Sequence, residues 1–149
     1  MTHADIKAEI IKAMKAKDTV RLAVMRALSA AATNEAVTKG LGPDGMLADE
    51  DVLTLVSRSA KQHKDSIEQF KAGGREDLVA SEQAELDILM SLLPAQMSRE
   101  EIEALVKAKV AEGGITAEQK NQFMGGLMKE LKGKADGALV KEVVDATFA

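Results

Sequence analysis

This chain is expected to be all-helical, on three observations. Nearly half of its 149 residues are Ala, Leu, Glu, Lys or Arg, all strong helix formers. Two prolines and eleven glycines are the only helix breakers. The aromatics that sheets draw on are reduced to Phe70, Phe123 and Phe148. The expected architecture is an N-terminal subdomain of longer antiparallel helices over residues 1–93, a hinge at 94–97, and a C-terminal three-helix bundle over 98–149.

The first helix is placed at residues 3–17, with Ile6, Ile10 and Met14 recurring every four residues as one apolar stripe. His3, at the very start, belongs to a terminus expected to fray. Asp18 is suited to cap the second helix, residues 19–39, whose middle (Leu22 to Leu28) is apolar on most sides and calls for burial by several neighbours. Gly40-Leu41-Gly42-Pro43-Asp44-Gly45 then breaks the pattern. These six residues match the dinucleotide fingerprint G-x-G-x-x-G by letter, but a helix precedes them where the fingerprint needs a strand, and Pro43 lacks an amide donor. They are a loop.

Asp49 is expected to cap the third helix, to residue 72, with Val56, Ala60, His63, Ile67 and Phe70 on one face. Gly73-Gly74 ends it, and Glu76 and Asp77 open the fourth with acids in its first turn. That helix carries Leu86, Leu89 and Leu93 and stops before Pro94. Ser98 with Glu101 forms a capping box for the fifth helix, which ends at Gly113-Gly114. Thr116 caps the sixth, running to Gly133, and Asp136 begins the last, with Leu139, Val140, Val143 and Val144.

Composition excludes whole classes of chemistry. Without cysteine there is no thiol catalysis, disulfide, zinc ribbon or iron–sulfur cluster. Without Trp or Tyr, a base-stacking platform for single-stranded nucleic acid is missing. No apolar run approaches the roughly 20 residues of a membrane span. Met1 to Ile6 lacks the basic-then-apolar order of a secretory signal, so a cytoplasmic protein is expected. The net charge of −4 gives no overall attraction to nucleic acid, yet it averages over two basic stretches. One holds Lys7, Lys12, Lys15, Lys17, Arg21 and Arg26 against Glu9 and Asp18. The other holds Lys120, Lys129, Lys132, Lys134 and Lys141 against Glu130 and Asp136. Each is also what an ordinary solvated helix face looks like.

Catalytic patterns are sparse. His3 and His63 are the only histidines, and His63 lies on an apolar stripe, where a satisfied, partly buried ring is the ordinary outcome. No H-E-x-x-H, Glu-x-x-His or G-x-S-x-G pattern occurs, so neither a metal nor a cofactor is expected. Glu82 and Glu85 share a face with Leu78, Leu89 and Leu92 at the core boundary. They are read as ion-pair partners of Arg58 or Lys61, because desolvated charges need partners. An acid/base carboxylate pair is the alternative, and it would require a cleft. Met124 and Met128, spaced i, i+4, offer either core filling or an adaptable surface for a protein partner.

The stretch from Gly74-Arg75-Glu76-Asp77-Leu78 through Ser81-Glu82-Gln83-Ala84-Glu85-Leu86 to Leu92-Leu93-Pro94-Ala95-Gln96-Met97-Ser98 resembles the YqeY family. So do Met124-Gly125-Gly126-Leu127-Met128, Lys132-Gly133-Lys134-Ala135-Asp136-Gly137 and Leu139-Val140. Arg21, Arg26, Asn34 and Glu35 fit as well, so the resemblance covers essentially the whole chain. Two departures are Lys134, where many members carry arginine, and Gln122-Phe123, where a glycine-containing segment is usual. The family comprises stand-alone relatives of the tail domain of GatB, the B subunit of the tRNA-dependent amidotransferase. The resemblance therefore implies an all-helical GatB/YqeY-like fold and contact with the tRNA body. It also brings the label of a glutamine-dependent carbon–nitrogen ligase, although this chain lacks the amidase and kinase-like domains of such chemistry. A helical tRNA contact without aromatics uses phosphates and shape. Lys129, Lys132, Lys134 and Lys141, around the Gly133 turn and beside a helix start, are the expected RNA-binding residues. A non-catalytic tRNA-binding module is the leading expectation, ahead of a protein–protein adaptor and an amidotransferase component.

Overall fold

All 149 residues are described in a computed structural model, which contains seven α-helices, one short 3-10 segment and no strand. The all-helical expectation is met. The chain divides into two compact units, Met1–Leu93 and Pro94–Ala149.

The first unit holds α1 (His3–Lys15), α2 (Thr19–Thr38), α3 (Asp49–Ala72) and α4 (Glu76–Leu92). Thr2 and Asp5 form a reciprocal capping box at the start of α1. Asp18 caps α2 by accepting from the Arg21 amide at 3.0 Å. Asp49 does not cap α3. It is the first helical residue, behind Ala48, and with Glu50 and Asp51 it sets negative charge against the amide end of the helix dipole. Only Gly73, Gly74 and Arg75 separate α3 from α4, so the pair folds back as an αα-hairpin, with Gly74 at a left-handed φ of 70°. Their packing is the most extensive in the unit, followed by that of α1 on α2.

One apolar cluster joins all four helices, with Ile6, Met25, Val52, Val56 and Leu89 almost fully buried. The stripe expected on α1 is only partly right. Ile6 enters the core, but Met14 is 53 % exposed, and His3 and Ala13 take the buried positions. His3 is not at a frayed end: its Nδ1 accepts a 2.9 Å hydrogen bond from the amide of buried Leu47. The Gly40-to-Gly45 segment follows a helix, as expected of a loop. A Cβ on Gly45 would lie 2.3 Å from the Leu41 carbonyl oxygen, so that glycine serves a tight turn.

The second unit holds α5 (Arg99–Gly113), a 3-10 segment (Ala117–Gln119), α6 (Lys120–Glu130) and α7 (Gly137–Thr147). Ser98 and Glu101 form the expected capping box, and Gly114 ends α5 at a φ of 58°. Thr116 pairs with Gln119 ahead of α6, and Asp136 caps α7 through the Ala138 amide. The helix expected to reach Gly133 stops at Glu130. The core of this unit is Ile102, Val106, Leu127, Leu131, Val140, Val143 and Val144, with Phe123 and Phe148 edge to face at 6.3 Å. Met124 and Met128 pack against this cluster, which accounts for them as core filling.

Candidate functional site

Two groups of polar side chains stand out from the helix surfaces, one in each unit. In the second unit, α6 hands over to α7 through a turn whose backbone is heavily constrained. The amides of Lys134 and Ala135 donate to the Leu131 carbonyl, and Gly133 adopts a φ of 78°. From the preceding segment, the Met97 amide donates to the Lys134 carbonyl at 2.9 Å, and Gln96 Nε2 donates to that of Gly133 at 3.0 Å. Leu131 is buried beneath, while Lys132 and Lys134 are exposed on either side of buried Gly133. A fixed backbone thus displays two flexible cations.

Lys129, in the last turn of α6, and Lys141, in α7, are exposed as well. None of the four lysines is ion-paired. Their neighbours in sequence are: Lys120 is bound to Asp145 at 3.1 Å, and Glu130, an acid within the basic stretch, is bound by Lys109 at 2.9 Å. Arg99 is likewise committed to Glu142 and Glu103, which raise its already high pKa. Among cations of this unit, pairing therefore spares Lys107 and the four at the turn. In the N-terminal basic stretch, Arg21 binds Glu9 through Nε at 3.1 Å and Nη2 at 2.7 Å, and Lys12 lies 3.7 Å from the same carboxylate.

The other group lies on the α3–α4 hairpin. His63 and Glu85 are equidistant in sequence from Gly74, which sets them opposite each other, and Glu82 is one turn from Glu85 on the same face. His63 Nδ1 lies 2.5 Å from Glu82 Oε2, and its Nε2 lies 3.6 Å from Glu85 Oε2. The three side chains are 20 %, 25 % and 30 % exposed, and a nitrogen or oxygen from each falls within 4.8 Å of the others. This corrects the expected pairing with Arg58 or Lys61. Arg58 is exposed and ion-pairs with neither glutamate; the histidine on the same helix lies against both. Residue counting across the hairpin was the available signal. Reading each helix face alone could not find it.

A model of the Yqey-like protein family matches residues 3–148. The chain belongs to the YqeY family. Curated relatives carry the name altered inheritance of mitochondria protein 41, mitochondrial. That of Pyrenophora tritici-repentis is 32 % identical over 136 residues, which cover 87 % of this chain and 71 % of the relative. A Saccharomyces cerevisiae relative is 33 % identical over 127 residues, covering 80 % and 66 %. One from Lachancea thermotolerans is 37 % identical over 91 residues, covering 60 % and 46 %. This YqeY-family chain thus spans at most about two thirds of the length of most of these relatives.

The names overturn the cytoplasmic expectation, since the relatives are designated mitochondrial. That expectation stood on the lack of a secretory pattern at Met1 to Ile6. Six residues without that pattern do not discriminate among the compartments in which a helical domain folds. No helix of the structure is long and apolar enough to cross a membrane.

Proposed function

We infer that this YqeY-family protein is a non-catalytic accessory module that binds the body of tRNA through phosphates. The observation that carries the reading is the turn between α6 and α7, where Lys129, Lys132, Lys134 and Lys141 are exposed and unpaired while the flanking Lys120 and Lys109 are neutralised. Its hydrogen bonds to Gln96 and Met97 keep the backbone in place, so the ordering cost of binding falls mainly on the lysine side chains. Lysine is a flexible point charge suited to phosphate and carries no base-reading geometry, and the absence of Trp and Tyr removes stacking as a rival mode. The resemblance to the GatB tail domain supplies the choice of tRNA. The lysine turn and that resemblance together support the reading.

The test is a titration of folded tRNA at a series of potassium chloride concentrations. Wild-type affinity is expected to fall steeply with salt. Lys132→Glu/Lys134→Glu should weaken it and flatten the slope by roughly 1 to 2, at about 0.7–0.9 for each phosphate no longer neutralised. Absence of binding at low salt, or a double variant that binds like wild type, would overturn the assignment.

A further inference from the structure

The geometry points to a binding site for one divalent transition-metal ion of the zinc class on the α3–α4 hairpin, with His63 and Glu85 as protein ligands and Glu82 as the residue that orients the imidazole. The two ring nitrogens of His63 are in different situations. Nδ1 is 2.5 Å from Glu82 Oε2. A carboxylate oxygen can only accept, so Nδ1 carries the proton, and in the neutral ring the lone pair is on Nε2. Nε2 has Glu85 Oε2 at 3.6 Å, a separation too long for a hydrogen bond. It suits a shared cation instead. Two ligand atoms each about 2.0–2.2 Å from a tetrahedrally coordinated ion lie roughly 3.4 Å from one another.

The surrounding features agree. A carboxylate on the far nitrogen of a ligating histidine is the usual means of fixing its tautomer and ring angle, and Glu82 occupies that place. The three side chains are between one fifth and one third exposed, which leaves room for water to complete the coordination shell. The mixed donor set selects the ion. Imidazole suits zinc, copper, iron and nickel, whereas magnesium and calcium favour oxygen ligands throughout. The other histidine does not compete, because His3 is buried with Nδ1 engaged by Leu47. The donors come from two helices, so neither helix carries a metal-ligand motif of its own.

A purely polar contact of His63 with the two glutamates would have the same geometry, and the experiment separates the two. The full-length chain, free of any histidine tag and stripped with a chelator, is titrated with zinc chloride against a chromophoric chelator, and with cobalt chloride while the visible spectrum is followed. One ion per chain is expected for both metals. His63→Gln and Glu85→Gln should each abolish saturable binding, and Glu82→Gln should weaken it about 10- to 100-fold with stoichiometry unchanged. Helix content by circular dichroism checks each variant; Glu85→Gln, at a partly exposed position, serves if His63→Gln misfolds. Wild-type protein without saturable binding, or binding that survives in folded Glu85→Gln, overturns the site. Neither result bears on the tRNA reading, which rests on the second unit.

Discussion

His3→Ala removes a side chain that touches two levels of the structure at once. The imidazole is 5 % exposed, and its Nδ1 is the acceptor for the amide of Leu47, itself 4 % exposed and 44 residues away in sequence. Alanine leaves that amide buried without an acceptor, a cost of about 1–3 kcal/mol, and the vacated ring volume adds roughly 1 kcal/mol or more. A loss of about 2–4 kcal/mol is expected, a large share of the roughly 5–15 kcal/mol that holds a domain folded. His3→Asn, whose side-chain oxygen sits near the position of Nδ1, should recover about 1 kcal/mol of it. Urea unfolding followed by circular dichroism measures the total. Amide hydrogen exchange at Leu47 reads the bond locally, whatever the second unit does, and should quicken in His3→Ala and slow again in His3→Asn. A variant His3→Ala within about 0.5 kcal/mol of wild type, with Leu47 exchange unaltered, would refute the reasoning.

Two further outcomes are expected. The Arg21 hydrogen bonds, helped by Lys12, hold the Glu9 carboxyl below its ordinary value of 4.5. A carboxyl lowered in the folded state stabilises at pH above its unfolded value, and that contribution disappears as pH falls through the lower folded value. Glu9→Gln should therefore cost at most about 1 kcal/mol at neutral pH, the pair being partly exposed, and should flatten the acid limb of stability below about pH 4.5. Identical pH profiles for the two proteins would contradict it. Gly133→Ala places a Cβ on a residue at a φ of 78° and should cost about 1–2 kcal/mol in thermal unfolding. Because the same turn displays Lys132 and Lys134, tRNA affinity should also drop; unchanged affinity in the folded variant would separate the turn geometry from binding.

Much of the helical pattern was legible because its signals are local. Asp18, Ser98 with Glu101, and Asp136 each cap within two or three residues of themselves, so chain chemistry alone marks those starts. Asp49 shows the limit. An acid before a helix serves as a cap or as a first-turn charge, and only the backbone angle at Ala48 decides which. On α1, periodicity offered Met14 to the core, but the stripe that faces α2 and the following loop runs through His3, Ile6 and Ala13. The lysines at the Gly133 turn could be named from the chain. Their freedom from pairing could not, since Lys109 and Asp145, which engage Glu130 and Lys120, lie on other helices.

The sequence by itself determined the helical class, most helix ends and the family, because propensity, capping and motif are properties of residues a few positions apart. Tertiary structure decided which charges are spent on each other and which remain, and it turned His63 toward Glu82 and Glu85 instead of leaving those carboxylates to Arg58 or Lys61. The physical reason is register. A helix repeats every 3.6 residues, so a small rotation or slide of one helix against its neighbour exchanges every cross-helix partner while leaving each helix's own pattern intact.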